Sequence, residues 1–384
     1  MAEFTFTSEQ QQLRAAVGKF CTENFAEATI RRLMESEVPY DPAVWRRLGT
    51  ELGVLGMSVP EADGGVGGSL VDQAVAVEAF GAALGCGPFF GTVYLAIPAL
   101  VACGSSDARD ELLAALIDGD RTAAFAVNDT AGAFDPNVTV TASGNGDRVL
   151  LGGTAKRVVD AGAADVVLVA ARSDDGVGLY AVDAADLRRT PLVTLDLTRP
   201  QADVVFADAP ARLLAGPADA ERVITHALQI GSALLAIEQV GAAQHMLDLS
   251  VDYAKSRLQF GRHIGSFQAV KHKLADMLVD LEHARSTAYH AVWALADGSD
   301  DPALAVSIAQ ATCSAAFSRI AADSIQVHGG IGFTWEHQAH LYFKRAATDA
   351  ALLGSAEQHR GRIAALVLDT AIVDEPPRVA AGVA

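Results

Sequence analysis

The sequence predicts an α+β chain in three parts. These are an N-terminal helical domain over 1–120, a middle antiparallel β domain over 121–216 and a C-terminal helical domain over 217–368, with a tail at 369–384. Three observations carry this reading. Apolar residues recur at helical spacing up to about residue 118. Near residue 121 the texture changes to short β-rich runs divided by turn residues. After Pro217 no proline occurs before Pro302, and helical periodicity fills the interval except at 260–265.

The first helix has a start signal, Ser8 followed by Gln11, which reads as a capping box. Leu13, Ala16, Val17 and Phe20 then share one helical face. A second helix carries Trp45, Leu48, Leu52 and Leu55. The glycine density of 59–68 reads as a loop, with backbone freedom between helices favoured over a phosphate cradle. Apolar helical stretches follow from about 70 to 118. Strands are expected at 122–127, 138–142, 148–151, 165–170, 178–182 and 203–206, and Gly144-Asn145-Gly146-Asp147 reads as a hairpin turn. Close strand spacing predicts a barrel or a sandwich. In the last part, Gly298 through Pro302 ends one long helix and caps the next, a third helix runs toward Gly329-Gly330, and further helix covers roughly 338–368. Pro376-Pro377 marks the tail as loose.

Composition narrows the function. Hydrophobic residues make up 51% and charged residues 20%, a balance that predicts extensive subunit contacts. The net charge of −18 argues against nucleic acid or an anionic membrane surface as the main partner. Cys21, Cys86, Cys103 and Cys313 form no CxxC pair, so neither a zinc site nor a disulfide framework is expected. The first residues show no signal peptide and no uninterrupted apolar run reaches transmembrane length, which predicts a cytoplasmic protein without membrane insertion. His337 and His340 are spaced i, i+3 but lack an acidic or cysteine ligand set, so no metal site is expected. No Rossmann, Walker or nucleophile-elbow motif is present.

Two motifs sharpen the reading. The first is Arg257-Leu-Gln-Phe260-Gly261-Arg-His-Ile-Gly-Ser-Phe-Gln268, between two long helices, and the second is Gln326-Val-His-Gly329-Gly330-Ile-Gly-Phe-Thr-Trp-Glu. Taken by themselves, Arg257 reads as a surface salt-bridge residue and Gly329-Gly330 as a helix stop. Both motifs, their order, their spacing and the helical, β, helical sequence of domains resemble the acyl-CoA dehydrogenase family over residues 4 to about 365. The resemblance implies that family's fold, with a C-terminal four-helix bundle, and FAD shared across a subunit interface. It implies that Arg257 and Gln268 reach the pyrophosphate side of a neighbour's FAD, that Phe260 lies near its adenine, and that Gln326, Gly329 and Gly330 approach the same cofactor. A guanidinium suits the first task because it makes paired hydrogen bonds to phosphate oxygens.

The sequence departs from the family where catalysis is expected. The family's reaction needs a carboxylate base beside the thioester. Counting back from Arg360, or forward from Gln326, puts Leu353 at the usual base position, and the alternative position falls on Gly231-Ser232. Glu238, on roughly the face of Gly231, is a weak substitute candidate. Glu357 and Asp349, one turn either side of Leu353, read as salt-bridge or capping groups. In the β domain the family's flavin-ring contacts match Val127 through Gly132 and Arg157 through Asp160, with Val127, Arg157 and Val159 where a threonine, a tryptophan and a hydroxyl residue are usual. The chain therefore resembles the non-catalytic type of subunit in actinobacterial α2β2 acyl-CoA dehydrogenases that act on steroid side-chain CoA thioesters. Leu195-Asp-Leu-Thr-Arg199 fits that subgroup. The implied partners are a homologous catalytic subunit, an acyl-CoA substrate and, by analogy, an electron-transfer flavoprotein. Two rival readings are a self-sufficient homo-oligomeric dehydrogenase with an unconventional base and a flavin-free structural subunit.

Overall fold

In the computed structural model, which describes residues 6–127, 138–144 and 149–369, the first helix starts one residue earlier than expected. Thr7, not Ser8, is the N-cap of α1 (Ser8–Asn24), and Gln10 completes the capping box. Two overlapping Ser/Thr-x-x-Gln patterns compete here, and Thr7 is the residue with an extended backbone and a hydroxyl accepting from Gln10 N. After α2 (Glu27–Leu33), the helix of Trp45 is shorter than its apolar spacing predicts. α3 (Pro42–Thr50) stops before Leu52 and Leu55, because Gly53 takes φ +65° and turns the chain. α4 (Leu70–Ala82), a π-helical segment (Phe89–Ala96), α5 (Ile97–Ala102) and α6 (Asp107–Ile117) complete the N-terminal part.

The strands are β1 (Ala123–Ala126), β2 (Val140–Ser143), β3 (Val149–Val159), β4 (Val166–Ser173), β5 (Gly176–Asp183), β6 (Arg188–Pro191) and β7 (Gln201–Ala215). β2, β3, β7, β5 and β4 pair in that order and β4 returns to β2, which closes a small barrel; β1 adds to β4 and β6 to β7. Most pairings are antiparallel as expected, but β1–β4 and β2–β4 are parallel. Alternation sets the two faces. Val167, Val169 and Ala171 of β4 enter the core of the barrel, whereas Val166, Leu168 and Ala170 enter the main core shared with the helices. β7 is much longer than the run at 203–206 that predicts it, since Asp208 and Pro210 hide its continuity from pattern reading. The hairpin turn at 145–147, the segment 128–132 and the tail beyond 369 lie outside the described residues.

The last part holds α7 (Ala220–Ser256), α8 (Gln268–Asp297), α9 (Pro302–His328), α10 (Ala339–Asp349) and α11 (Ala356–Ala364). Gly298 ends α8 at φ +66°, and Asp301 caps α9 with Pro302 in its first turn. α7, α8 and α9 pack side by side, with α10 and α11 against α9 and α4 against α7. The α4–α7 crossing needs glycine. A Cβ on Gly241 would lie 1.9 Å from Glu78 O, and one on Gly81 would lie 2.1 Å from Glu238 O. By length and composition α7 and the segment 302–333 could each cross a bilayer, although polar residues interrupt the apolar runs of both. Their apolarity has another destination, since 83% of the apolar window of α7 is buried inside the molecule.

Candidate active site

A cleft of about 320 Å³ lies where the barrel meets the helices, and the sequence's departures converge on it. Leu353, Val127, Arg157 and Val159 all line it, with Leu95 and Phe90 on the helical side. Gly231 lies behind the wall residue Leu95, whose Cδ2 would be 2.4 Å from a Cβ there. Leu353 sits in the turn after α10 at φ +53°, followed by Gly354 at +101°. His359 fixes this turn, its Nε2 lying 2.8 Å from Leu353 O. Arg157 also has positive φ, with its N–H donating to Asp203 Oδ1 at 2.9 Å. No carboxylate lines the cleft among the described residues. Glu357 is exposed in the first turn of α11, 3.5 Å from Arg360.

Behind Phe90 the interior is closed. Phe90 also borders a space of only about 10 Å³ around Tyr94, Asp160, Arg199, Glu238 and Arg345. Glu238 lies here, buried on α7. Arg199 and Arg345 both donate to its Oε1, and Tyr94 Oη donates to Oε2 at 2.8 Å. Arg345 Nε donates to Asp196 Oδ2 at 2.7 Å and Nη2 to Thr198 Oγ1 at 2.6 Å. Burial pushes the Glu238 carboxyl up, but the two guanidiniums outweigh it and hold the group well below the ordinary glutamate value. Asp349 goes the other way. Burial raises it above the ordinary aspartate value against the pull of Arg199, whose Nη1 is 3.5 Å away. Asp160 is likewise raised by burial, to about 6, although it accepts from Gly91 N at 2.8 Å. The cluster joins the N-terminal helices, the barrel and α7 with α10. Apart from Glu238 and Asp349, sequence reasoning missed its members as a site; Arg199 carries the one signal, a charge in the Leu195–Arg199 segment that pattern alone could not place inside.

The residues expected to serve a neighbour lie elsewhere, on the surface. β8 (Leu258–Gln259) and β9 (Arg262–His263) form a hairpin between α7 and α8. Its two turn residues, Phe260 and Gly261, both have positive φ, at +52° and +75°, the requirement of a two-residue type I′ turn. This holds Phe260 90% exposed. Arg257 caps α7 and Gln268 opens α8; Gln326 lies in the last turn of α9, shortly before Gly329 and Gly330, and all five are exposed. The two motifs meet at one end of the bundle, for Tyr253, one turn before Arg257, lies 4.5 Å ring to ring from His328.

The donor set at this end fits a phosphate-bearing cofactor such as FAD. The side chains of Arg257, Gln268 and Gln326 are exposed, and a Cβ on Gly329 or Gly330 would meet nothing within 4 Å, so backbone can be approached closely. The chain's own cleft fits a flavin ring poorly at Val127 and Val159, whose side chains offer no hydrogen bond. No group of three His, Cys, Asp or Glu side chains suited to a metal occurs among the described residues. His337 meets His328 at 4.4 Å with the rings tilted by 44° and precedes α10, while His340 lies within it and meets Trp335. The four cysteines are free and buried.

Comparison with known proteins shows the family. Residues 7–120 match the family described as acyl-CoA dehydrogenase, N-terminal domain, and residues 221–368 match acyl-CoA dehydrogenase, C-terminal domain. Acyl-CoA dehydrogenase IpdE2 of Mycolicibacterium smegmatis is 34% identical over 94% of this chain and 99% of its own. Its namesake in Mycobacterium tuberculosis is 37% identical over 90% and 93%. Among solved structures, the Mycobacterium tuberculosis ChsE4–ChsE5 complex superposes with a TM-score of 0.86 at 29% identity, covering 97% of this chain and 100% of that one. A variant of the Tcur3481–Tcur3483 steroid acyl-CoA dehydrogenase gives 0.84 at 30% identity over 95% and 99%.

Proposed function

The chain belongs to the acyl-CoA dehydrogenase family, and from that premise we propose that it is the non-catalytic subunit of a heteromeric, cytoplasmic enzyme whose FAD it helps to hold. The observation that carries the reading is the cleft itself. Both positions where the family places a base are apolar here, Leu353 and Gly231, and no described lining residue is a carboxylate. Proton abstraction next to a thioester needs such a group within hydrogen-bond reach. Glu238 cannot take over while two buried arginines hold it as an anion away from the cleft. This argues against the self-sufficient reading.

The exposed end supplies the positive half of the proposal. Arg257 would bind pyrophosphate oxygens through paired hydrogen bonds, Gln268 and Gln326 would add neutral ones, and Phe260 would cover the adenine. Gly329 and Gly330 would let backbone approach the cofactor. Bound FAD supplies the hydride acceptor for α,β-desaturation. The base and the flavin-ring contacts would come from a homologous partner subunit, and electrons would leave to an electron-transfer flavoprotein. The likeness to a steroid acyl-CoA dehydrogenase supports the substrate class proposed, an acyl-CoA with a steroid-derived acyl group.

The test is to purify the chain alone and together with the homologous subunit, then to record flavin absorbance and acyl-CoA-dependent dye reduction. The proposal expects both signals in the complex and neither in the lone chain. Flavin with activity in the lone chain overturns it, and a complex free of flavin favours a structural subunit.

A further inference from the structure

Resting on the reading that this chain completes a neighbour's FAD site, we propose that the run of tilted ring contacts Tyr253–His328–His337 is the positioning device that sets its two cofactor-facing motifs against each other. Arg257 and Gly329 stand at the ends of different helices, α7 and α9, and each motif continues into irregular backbone. Glycine backbone has no preferred path of its own, so Gly329 and Gly330 need a fixed origin. The three rings provide it. Tyr253 lies 4.5 Å from His328, and His328 lies 4.4 Å from His337, centroid to centroid.

Each ring is tied to a different part of the site. Tyr253 O accepts the N–H of Arg257 at 2.8 Å, so the tyrosine's backbone fixes the point where the first motif leaves α7. His328 is buried and its Nδ1 lies 2.8 Å from Ser324 O, which assigns the proton to Nδ1 and fixes the ring plane immediately before Gly329. His337 Nδ1 accepts the N–H of Ala339 at 3.2 Å, so its ring is anchored to the start of α10. The loop carrying Gly329 and Gly330 is thus held at both ends by the same ring contacts. One turn deeper, Ser250 Oγ donates to Ser324 Oγ at 2.8 Å and fixes the spacing of α7 and α9 beneath the rings. Burial holds both imidazoles below their ordinary value, so they meet as neutral rings rather than as like charges. A ligand site held by such a supporting layer keeps its geometry to fractions of an ångström, and one without it is loose.

The test uses the flavin-loaded assembly that this chain forms and measures FAD dissociation by the recovery of flavin fluorescence, with assembly followed by sedimentation. Tyr253→Leu and His337→Ala should each weaken FAD binding roughly three- to tenfold, the weight of one aromatic contact. Tyr253→Phe keeps the ring and should bind FAD like the unsubstituted assembly. A role in general stability alone would lower the melting temperature of Tyr253→Leu without this separation in FAD affinity. FAD affinity unchanged in both Tyr253→Leu and His337→Ala overturns the proposal. Should Tyr253→Leu fail to assemble, His337→Ala, outside any helix, decides by itself. Arg257→Ala separates the two levels. Weakened binding in Arg257→Ala without it in the ring variants sinks the ring device and leaves the shared site standing, whereas unchanged binding in Arg257→Ala sinks the shared site itself.

Discussion

Arg345 Nη1 donates to Glu238 Oε1 at 2.5 Å, with the two side chains only 4% and 3% exposed. Arg199 donates to the same oxygen, so one carboxylate answers two buried cations. Removing one charge from such a group leaves the others uncompensated, which costs far more than the intact cluster contributes over an apolar one. Glu238→Gln is therefore expected to destabilise the chain by about 3–5 kcal/mol, read by chemical denaturation. The sign of the pH effect follows from the lowered carboxyl. Its contribution is complete above the ordinary glutamate value and is lost as pH falls toward the folded-state value. That part of the acid limb should be missing in Glu238→Gln, and a variant as stable as its parent would refute the assignment.

Asp349 should behave in the opposite way. It is fully buried, neither oxygen has a hydrogen-bond partner among the described residues, and burial raises its carboxyl. A raised acid binds its proton more tightly in the fold than in the unfolded chain, so stability falls as pH rises from the ordinary aspartate value to the raised one. Asp349→Asn removes that slope. The melting temperature of Asp349→Asn relative to its parent should climb between about pH 4 and pH 7. A difference that shrinks with pH would mean that Asp349 is ionised and paired with Arg199.

The contrast between these two acids shows what a sequence can hold. Asp349 and Glu238 are both single acids in helical segments, and nothing in spacing separates a buried anion from a buried neutral acid. The difference comes from Arg199 and Tyr94, which reach the cluster from the barrel and the N-terminal helices. Such long-range juxtapositions leave no periodicity. What was legible is local: Gly298 and Asp301 as stop and cap, the order of helical and β parts, the break at 260–265, and the two motifs at the bundle's end. The losses at Leu353 and Val127 were legible only against the family pattern. Their meeting in one cleft with Leu95 is a product of the fold.

The crossing of α4 and α7 makes a sharper stability prediction. A methyl group on Gly241 would lie 1.9 Å from Glu78 O, which belongs to rigid helix backbone. The helices must move apart, and overpacking of this kind costs about 1–3 kcal/mol. Gly241→Ala should lower the melting temperature although alanine is the better helix former. A gain in stability would show that α4 and α7 do not approach this closely.

Arg257→Ala addresses the cofactor. Arg257 is exposed at the end of α7, and its side chain makes no hydrogen bond or ion pair among the described residues, so the substitution should leave the melting temperature of the lone chain unchanged. In the complex the same change removes a charge-assisted hydrogen bond to phosphate, about 1.5–3 kcal/mol. FAD should then dissociate roughly ten- to a hundredfold more readily. Arg257→Lys should fall between the two, because an ammonium keeps the charge and loses the paired geometry. Equilibrium dialysis of the complex measures all three. An Arg257→Ala complex that holds FAD as tightly as its parent would return Arg257 to the solvated surface and would remove the strongest donor from the shared site.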